Sequence, residues 1–242
     1  MFVNKAFAAA AATGILALSG AAFAGESGTQ VYFNDFNSSG SSVTGWSKTN
    51  RTSSVSGPGT GGFLGEFGSE TVTLPLTNLI GHDTITIAFD LYVIRSWDGN
   101  TMTPGVGPDI WSTGMMHDGM DEHTFLATTF ANQPPSHNRS QSYPLAYGDG
   151  NSPMYAGALE VNSLGYDHEL FEISLSSVYH MEFTMEHSGS NAEFWFRATG
   201  LQHLADESWG LDNVRVSVSG VPAPGALALL GIGGLVMGRR RR

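Results

Sequence analysis

The sequence predicts an all-β chain: an antiparallel, jelly-roll-like sandwich flanked by a secretory leader and a short C-terminal transmembrane helix. Three observations predict the sandwich. Apolar and polar residues alternate with a period of two along the body, the spacing that turns one strand face to a core and the other to water. Turn formers are abundant, with 31 glycines and 10 prolines, which keeps the strands short. No stretch of the body longer than a turn or two has helical spacing.

Taken in order, the first strand is expected at Gln30–Asn37 ("QVYFNDFN") and the next at Glu70–Leu76 ("ETVTLPL"). In Thr84–Ile94 ("TITIAFDLYVI") the alternation puts Ile85, Ile87, Phe89, Leu91 and Val93 on one face. His123–Phe130 ("HTFLATTF") is the one convincing strand of the long stretch 100–156. Val178–His187 and Ala192–Ala198 form a hairpin around the turn "SGSN", and Trp209–Val218 closes the set. Eight to ten strands of this kind make a two-sheet sandwich, with first and last strands as neighbours. The body, 25–220, reads as one domain, with no internal repeat and only Ser217–Val221 as a linker.

Composition narrows the function classes. The chain has 242 residues, 41% of them hydrophobic and 14% charged, enough apolar material for a core without disulfides. It contains no cysteine, which excludes thiol catalysis and thiolate metal sites. The body holds six basic residues against all 22 acidic ones, a balance of −16. With no basic stripe, nucleic acid is not an expected partner.

The two ends carry an address. Lys5, the apolar run Ala6–Gly20 and the small-x-small site Ala22-Phe23-Ala24 make residues 1–24 a signal peptide. Residues 221–242 have another logic. Val221, Pro222, Ala223 and Pro224 keep the chain extended. Sixteen uncharged residues, Ala223 to Gly238, follow, and then Arg239, Arg240, Arg241 and Arg242, a positive-inside stop. This order resembles the PEP-CTERM sorting signal of Gram-negative bacteria, with Ala223 where that motif has Glu. The resemblance implies a precursor held transiently in the inner membrane and cut near the proline motif by an exosortase-type enzyme. The product would go to the cell surface or the exopolysaccharide matrix. The alternative is a tail kept as a permanent anchor.

The body resembles two things. Its predicted layout is similar to concanavalin-like and carbohydrate-binding-module sandwiches. The segments "FDLYVIRSWDGN", "GPDIW", "ATTFAN", "QSYP" and "DESWGLDNVRV" resemble a sandwich domain of PEP-CTERM and other bacterial extracellular proteins. That second resemblance implies location and fold rather than a reaction.

Candidate site residues fall into three groups. Calcium takes six to eight oxygen ligands, which tight Gly-rich loops supply. Asp98, Gly99, Asn100 and Asp109 are two halves of one such loop site, or else turn residues capping amides. Asp35 and Asp212, with Asp206 and Glu207 nearby in sequence, are a second cation candidate if the first and last strands meet; otherwise Asp212 accepts backbone amides. Structural calcium is thus the one cofactor the sequence suggests. The eight histidines, including "HDGMDEH" and the pair His180 and His187, show no tight metal spacing and read as solvated. For glycans, Trp111, Tyr143 and Tyr147 lie in or near long loops and would stack on sugar rings if exposed; Trp111 reads as core, the tyrosines as exposed. Trp195 and Trp209, inside strands, read as core. Glu160, Glu169, Glu172, Glu182, Glu186 and Glu193 sit in no glycosidase motif, and GxSxG is absent. The expected function is therefore a non-enzymatic exported surface or matrix protein. The alternative is a carbohydrate-binding module acting on extracellular polysaccharide, with a glycan-active enzyme third.

Overall fold

The computed structural model describes residues 28–37, 43–52, 61–117, 121–167 and 173–220; at 117 and 135 only the backbone is described. The expected signal peptide and the sorting segment 221–242 lie outside these residues. No helix among the described residues is long and apolar enough to cross a membrane.

The strands are β1 (Thr29–Asn34), β2 (Arg51–Thr52), β3 (Phe63–Phe67), β4 (Thr71–Thr77), β5 (Thr84–Arg95), β6 (Ile110–His117), β7 (Asp121–Thr129), β8 (Ser140–Gln141), β9 (Ser152–Pro153), β10 (Glu160–Val161), β11 (Ser176–Glu186), β12 (Asn191–Thr199) and β13 (Glu207–Ser219). One sheet has seven strands in the order β10-β11-β5-β13-β3-β2, with β1 also on β13. The other has the order β4-β12-β6-β7, and β8 and β9 form a small ribbon. Their pairings are antiparallel throughout. First and last strands do pair, from Thr29 opposite Val218 to Asn34 opposite Val214.

The core lies between the two sheets. Ile85, Ile87, Phe89, Leu91 and Val93 of β5 are all buried there, as their alternation predicts. They face Ala192, Phe194, Phe196 and Ala198 of β12. Phe89 meets Phe196 edge-on at 5.2 Å, and Trp111 of β6 meets Trp209 of β13 edge-on at 6.3 Å. Each such side chain, fully buried, contributes about 1.5–3 kcal/mol, so these rings dominate the cohesion of the sandwich. The outer face of β5 is also covered. Tyr92 and Ile94 join Phe63, Leu164 and Val178 in a second apolar cluster.

A bulge explains one irregularity in the pattern. Between Asp212 and Arg215, β13 slips against β5, and Asn213 takes a left-handed φ of 50°. The slip changes parity, so Trp209 and Leu211 before it and Val214, Val216 and Val218 after it are all buried. β1 stops three residues earlier than predicted. Asn34 Oδ1 accepts from Phe36 N at 2.9 Å and Asp35 Oδ1 from Asn37 N at 3.1 Å, which turns the chain out of the ladder.

The stretch 100–156 corrects the prediction of a single strand. It holds the hairpin β6–β7, paired from Ile110 with Thr129 to His117 with Asp121, besides the β8–β9 ribbon. Gly114 disguises β6 by breaking its alternation. A Cβ on Gly114 would meet the His123 carbonyl of β7 at 2.1 Å and the indole of Trp195, directly opposite on β12, at 2.5 Å. The ring lies on the outer face of this sheet, capped by the Arg197 guanidinium 3.8 Å above it. Trp195 is therefore buried, but outside the core between the sheets.

Candidate functional site: a buried carboxylate cluster

Three carboxylates converge at the β5–β6 end of the sandwich. Asp98 follows β5 and bridges to Ala131, Asp109 immediately precedes β6, and Glu207 opens β13 opposite Arg95. Asp109 and Glu207 have no solvent exposure and Asp98 has 6%. One carboxylate oxygen of each lies within 4.8 Å of the others.

The turn Asp98-Gly99 builds the cluster. Asp98 N donates to Asp109 Oδ2, and Thr101 Oγ1 donates to the Asp98 carbonyl at 2.7 Å. Gly99 adopts φ 61°, and any Cβ there would meet the Ser140 carbonyl at 2.1 Å, so only glycine lets the turn lie against the β8 strand. Asp98 Oδ1 accepts from Gln133 Nε2 at 3.0 Å and faces Arg139 Nη2 at 3.3 Å. Glu207 Oε2 accepts from Gln202 N at 2.8 Å. The remaining oxygens, Asp109 Oδ1 and Glu207 Oε1, are buried without a hydrogen-bond donor.

Burial pushes all three carboxyl groups above the usual range, and for Glu207 the neighbouring Asp109 charge adds to it. An oxygen-only, anionic pocket of this kind attracts a hard cation or a proton.

Of the sequence-predicted cation residues, the structure brings Asp98 and Asp109 together. Asn100 turns away: its Oδ1 accepts from Thr129 Oγ1 and Ser142 Oγ, and its Nδ2 donates to Gly150 O at 3.1 Å, tying loops together. Asp212 Oδ2 accepts from Tyr92 OH at 2.8 Å and its Oδ1 from Asn213 N at 2.7 Å, the backbone-accepting alternative to a cation. Asp35 caps the turn after β1. The residue missing from the predicted Asp98 site is Glu207, which sequence proximity grouped with Asp212. The parity of β13 separates them: in the unbroken register before the bulge, Glu207 and Asp212 are five residues apart and so face opposite sides, with Glu207 at the opening of the 13-residue strand.

The predicted glycan platform is not assembled. Trp111 is fully buried. Tyr143 corrects the expectation of exposure: its ring packs on Phe130 at 5.1 Å and Tyr179 at 4.9 Å. Tyr147 alone is exposed, beside Met102 and Leu145. His187 is a second correction, since it is buried against His82 rather than solvated.

No protein-family model matches the chain, and no curated protein matches it. Solved structures give partial likenesses. The C-terminal family-6 carbohydrate-binding module of a marine laminarinase, LamC, from Zobellia galactanivorans is 10% identical, with a TM-score of 0.30 over 71% of this chain and 93% of that one. The mannan-recognising module TmCBM27 is 11% identical, with a TM-score of 0.35 over 78% and 97%. A family-115 4-O-methyl-α-glucuronidase specific for decorated arabinogalactans is 12% identical, with a TM-score of 0.26 over 62% of this chain and 14% of that one. Scores this low assign neither fold nor function to this chain. The sheet order itself defines the class: an antiparallel two-sheet β-sandwich with an acid cluster sealed inside.

Proposed function

We propose that this chain is the precursor of an exported, non-enzymatic surface or matrix protein, with the sandwich as a structural module and residues 221–242 as a removable sorting segment. The observation that carries the structural reading is where the polar side chains go. Asn100, Asp98, Gln133, Thr129, Ser142 and Gln141 hydrogen-bond loop to loop and loop to strand, fastening the segments 96–109 and 130–156 onto the core. A catalytic site needs polar groups held ready for substrate; the loop side chains just named are instead engaged with one another and with the backbone. The export reading rests on the leader 1–24 and the tail pattern in the sequence. An exosortase-type enzyme is the implied partner, with exopolysaccharide as the implied surroundings.

Fractionation of cells expressing a tagged chain tests this. The full chain should be retained in the envelope and then reach the surface, whereas a chain ending at Pro224 should be released to the medium. Equal distribution of the two forms would overturn the sorting reading.

A second reading, polysaccharide binding, draws on one feature: Tyr147 and Met102 are exposed in contact with each other, at 38% and 73%, with Leu145 exposed at 45% two residues before Tyr147. If that ridge grips sugar rings, affinity electrophoresis against the organism's exopolysaccharide should retard the protein, and Tyr147→Ala should cost about 1 kcal/mol or more of affinity. Unchanged retardation of the variant would remove the ridge from consideration.

A further inference from the structure

We infer that Asp98, Asp109 and Glu207 form a binding site for a divalent, oxygen-seeking cation, of which calcium fits best. This goes beyond the proposed export role and stands independently of it. Two observations meet here. The first is the convergence of three carboxylates within 4.8 Å. The second is that two members of this same cluster, Asp109 and Glu207, have no exposure and each keeps one oxygen, Oδ1 and Oε1, that meets no donor. A buried anionic oxygen without a partner is costly, and protein interiors avoid it. Arg139 is the one cation beside the cluster among the described ion pairs, and it touches only Asp98 Oδ1, on the outer side. It leaves the two inner carboxylates unneutralised.

The donor set selects the ion class. All three donors are hard carboxylate oxygens, the ligands of calcium, magnesium and manganese rather than of zinc or copper, which favour imidazole and thiolate. Magnesium demands near-ideal octahedral geometry and gives up its waters reluctantly. A sealed pocket with carboxylates from three separate segments suits calcium, which tolerates irregular, ligand-rich cages. The ion would tie together the chain after β5, the entry to β6 and the start of β13, three points that meet only in the folded protein. It therefore binds the native state alone and stabilises it by mass action.

The test uses the full chain in mild detergent, stripped with EGTA. Calcium should raise its melting temperature, magnesium at equal concentration should do much less, and terbium should bind with luminescence sensitised by tryptophan and be displaced by calcium. Asp109→Asn and Glu207→Gln should weaken calcium binding roughly tenfold or more, while Asp212→Asn leaves it unchanged. Should the two inner variants fail to fold, Arg139→Gln decides: loss of the competing guanidinium should tighten calcium binding several-fold. Identical melting in calcium and EGTA with no terbium signal would overturn the site and leave a proton shared between Asp109 and Glu207. Wild-type calcium affinity in folded Asp109→Asn, or no change in Arg139→Gln, would equally overturn it.

Discussion

Asp212 shows how a carboxylate is buried without any cation. It sits beside the bulge of β13 with Tyr92 OH on one oxygen and its neighbour's amide on the other. Burial raises its carboxyl from 3.8 to about 7. Between those two values the folded chain holds a proton that the unfolded chain has lost, so folding is favoured at the acid end. The contribution is complete below about pH 4 and disappears as pH rises through about 7. Asp212→Asn mimics the protonated form and should flatten the fall in urea-unfolding stability between pH 4 and 7.5, by on the order of 2–4 kcal/mol. A slope identical to the parent's would show that Asp212 is ionised in the fold. Single residues were the least legible part of the sequence. Asp98, Asp109 and Asp212 look alike as letters in turn-rich segments. Loop spacing grouped Asp98 with Asp109, but only the pairing of strands brings Glu207 to them and shows both oxygens of Asp212 taken by donors. The same holds for Tyr143, whose flanking loops suggested a surface, whereas its ring packs against the core.

At the scale of elements, strands with uninterrupted alternation were legible, because a face of five apolar residues has only one place to go. β5, β11, β12 and β13 match their predicted spans to within two residues at each end. β6 was hidden by Gly114 and the Met115–Met116 pair, and its glycine makes sense only once the β7 backbone at His123 and the Trp195 ring close in on it. β3 was hidden for a related reason: Gly65, with φ 149°, breaks "FLGEF", and a Cβ there would crowd Phe63 and the Trp209 carbonyl. The connections between sheets were not legible at all. At one end the β4–β5 and β11–β12 turns run side by side. Leu79 N donates to Ser190 O at 3.0 Å and His187 N to Asp83 O at 3.0 Å. His82 and His187 stack between them, Nε2 to Nδ1 at 2.7 Å, and their outer nitrogens meet the Ile80 and Asn191 carbonyls. Such a pin depends on two residues 105 apart in sequence, and no local pattern announces it.

At the scale of the molecule, the account joins an acidic body to a charged address. The body's balance of −16 keeps it soluble, while all the arginine beyond residue 220 lies in the terminal cluster. The sandwich needs no disulfide, since its aromatic core and loop network supply the cohesion. The central claim, that this sandwich is delivered outside the cell by removing both ends, is tested most directly by intact-mass spectrometry of the protein released from washed cell surfaces. The account predicts a species that begins at Gly25 and lacks everything beyond the proline motif at 222–224. A surface species whose mass still includes Arg242 would contradict it and make the tail a permanent anchor.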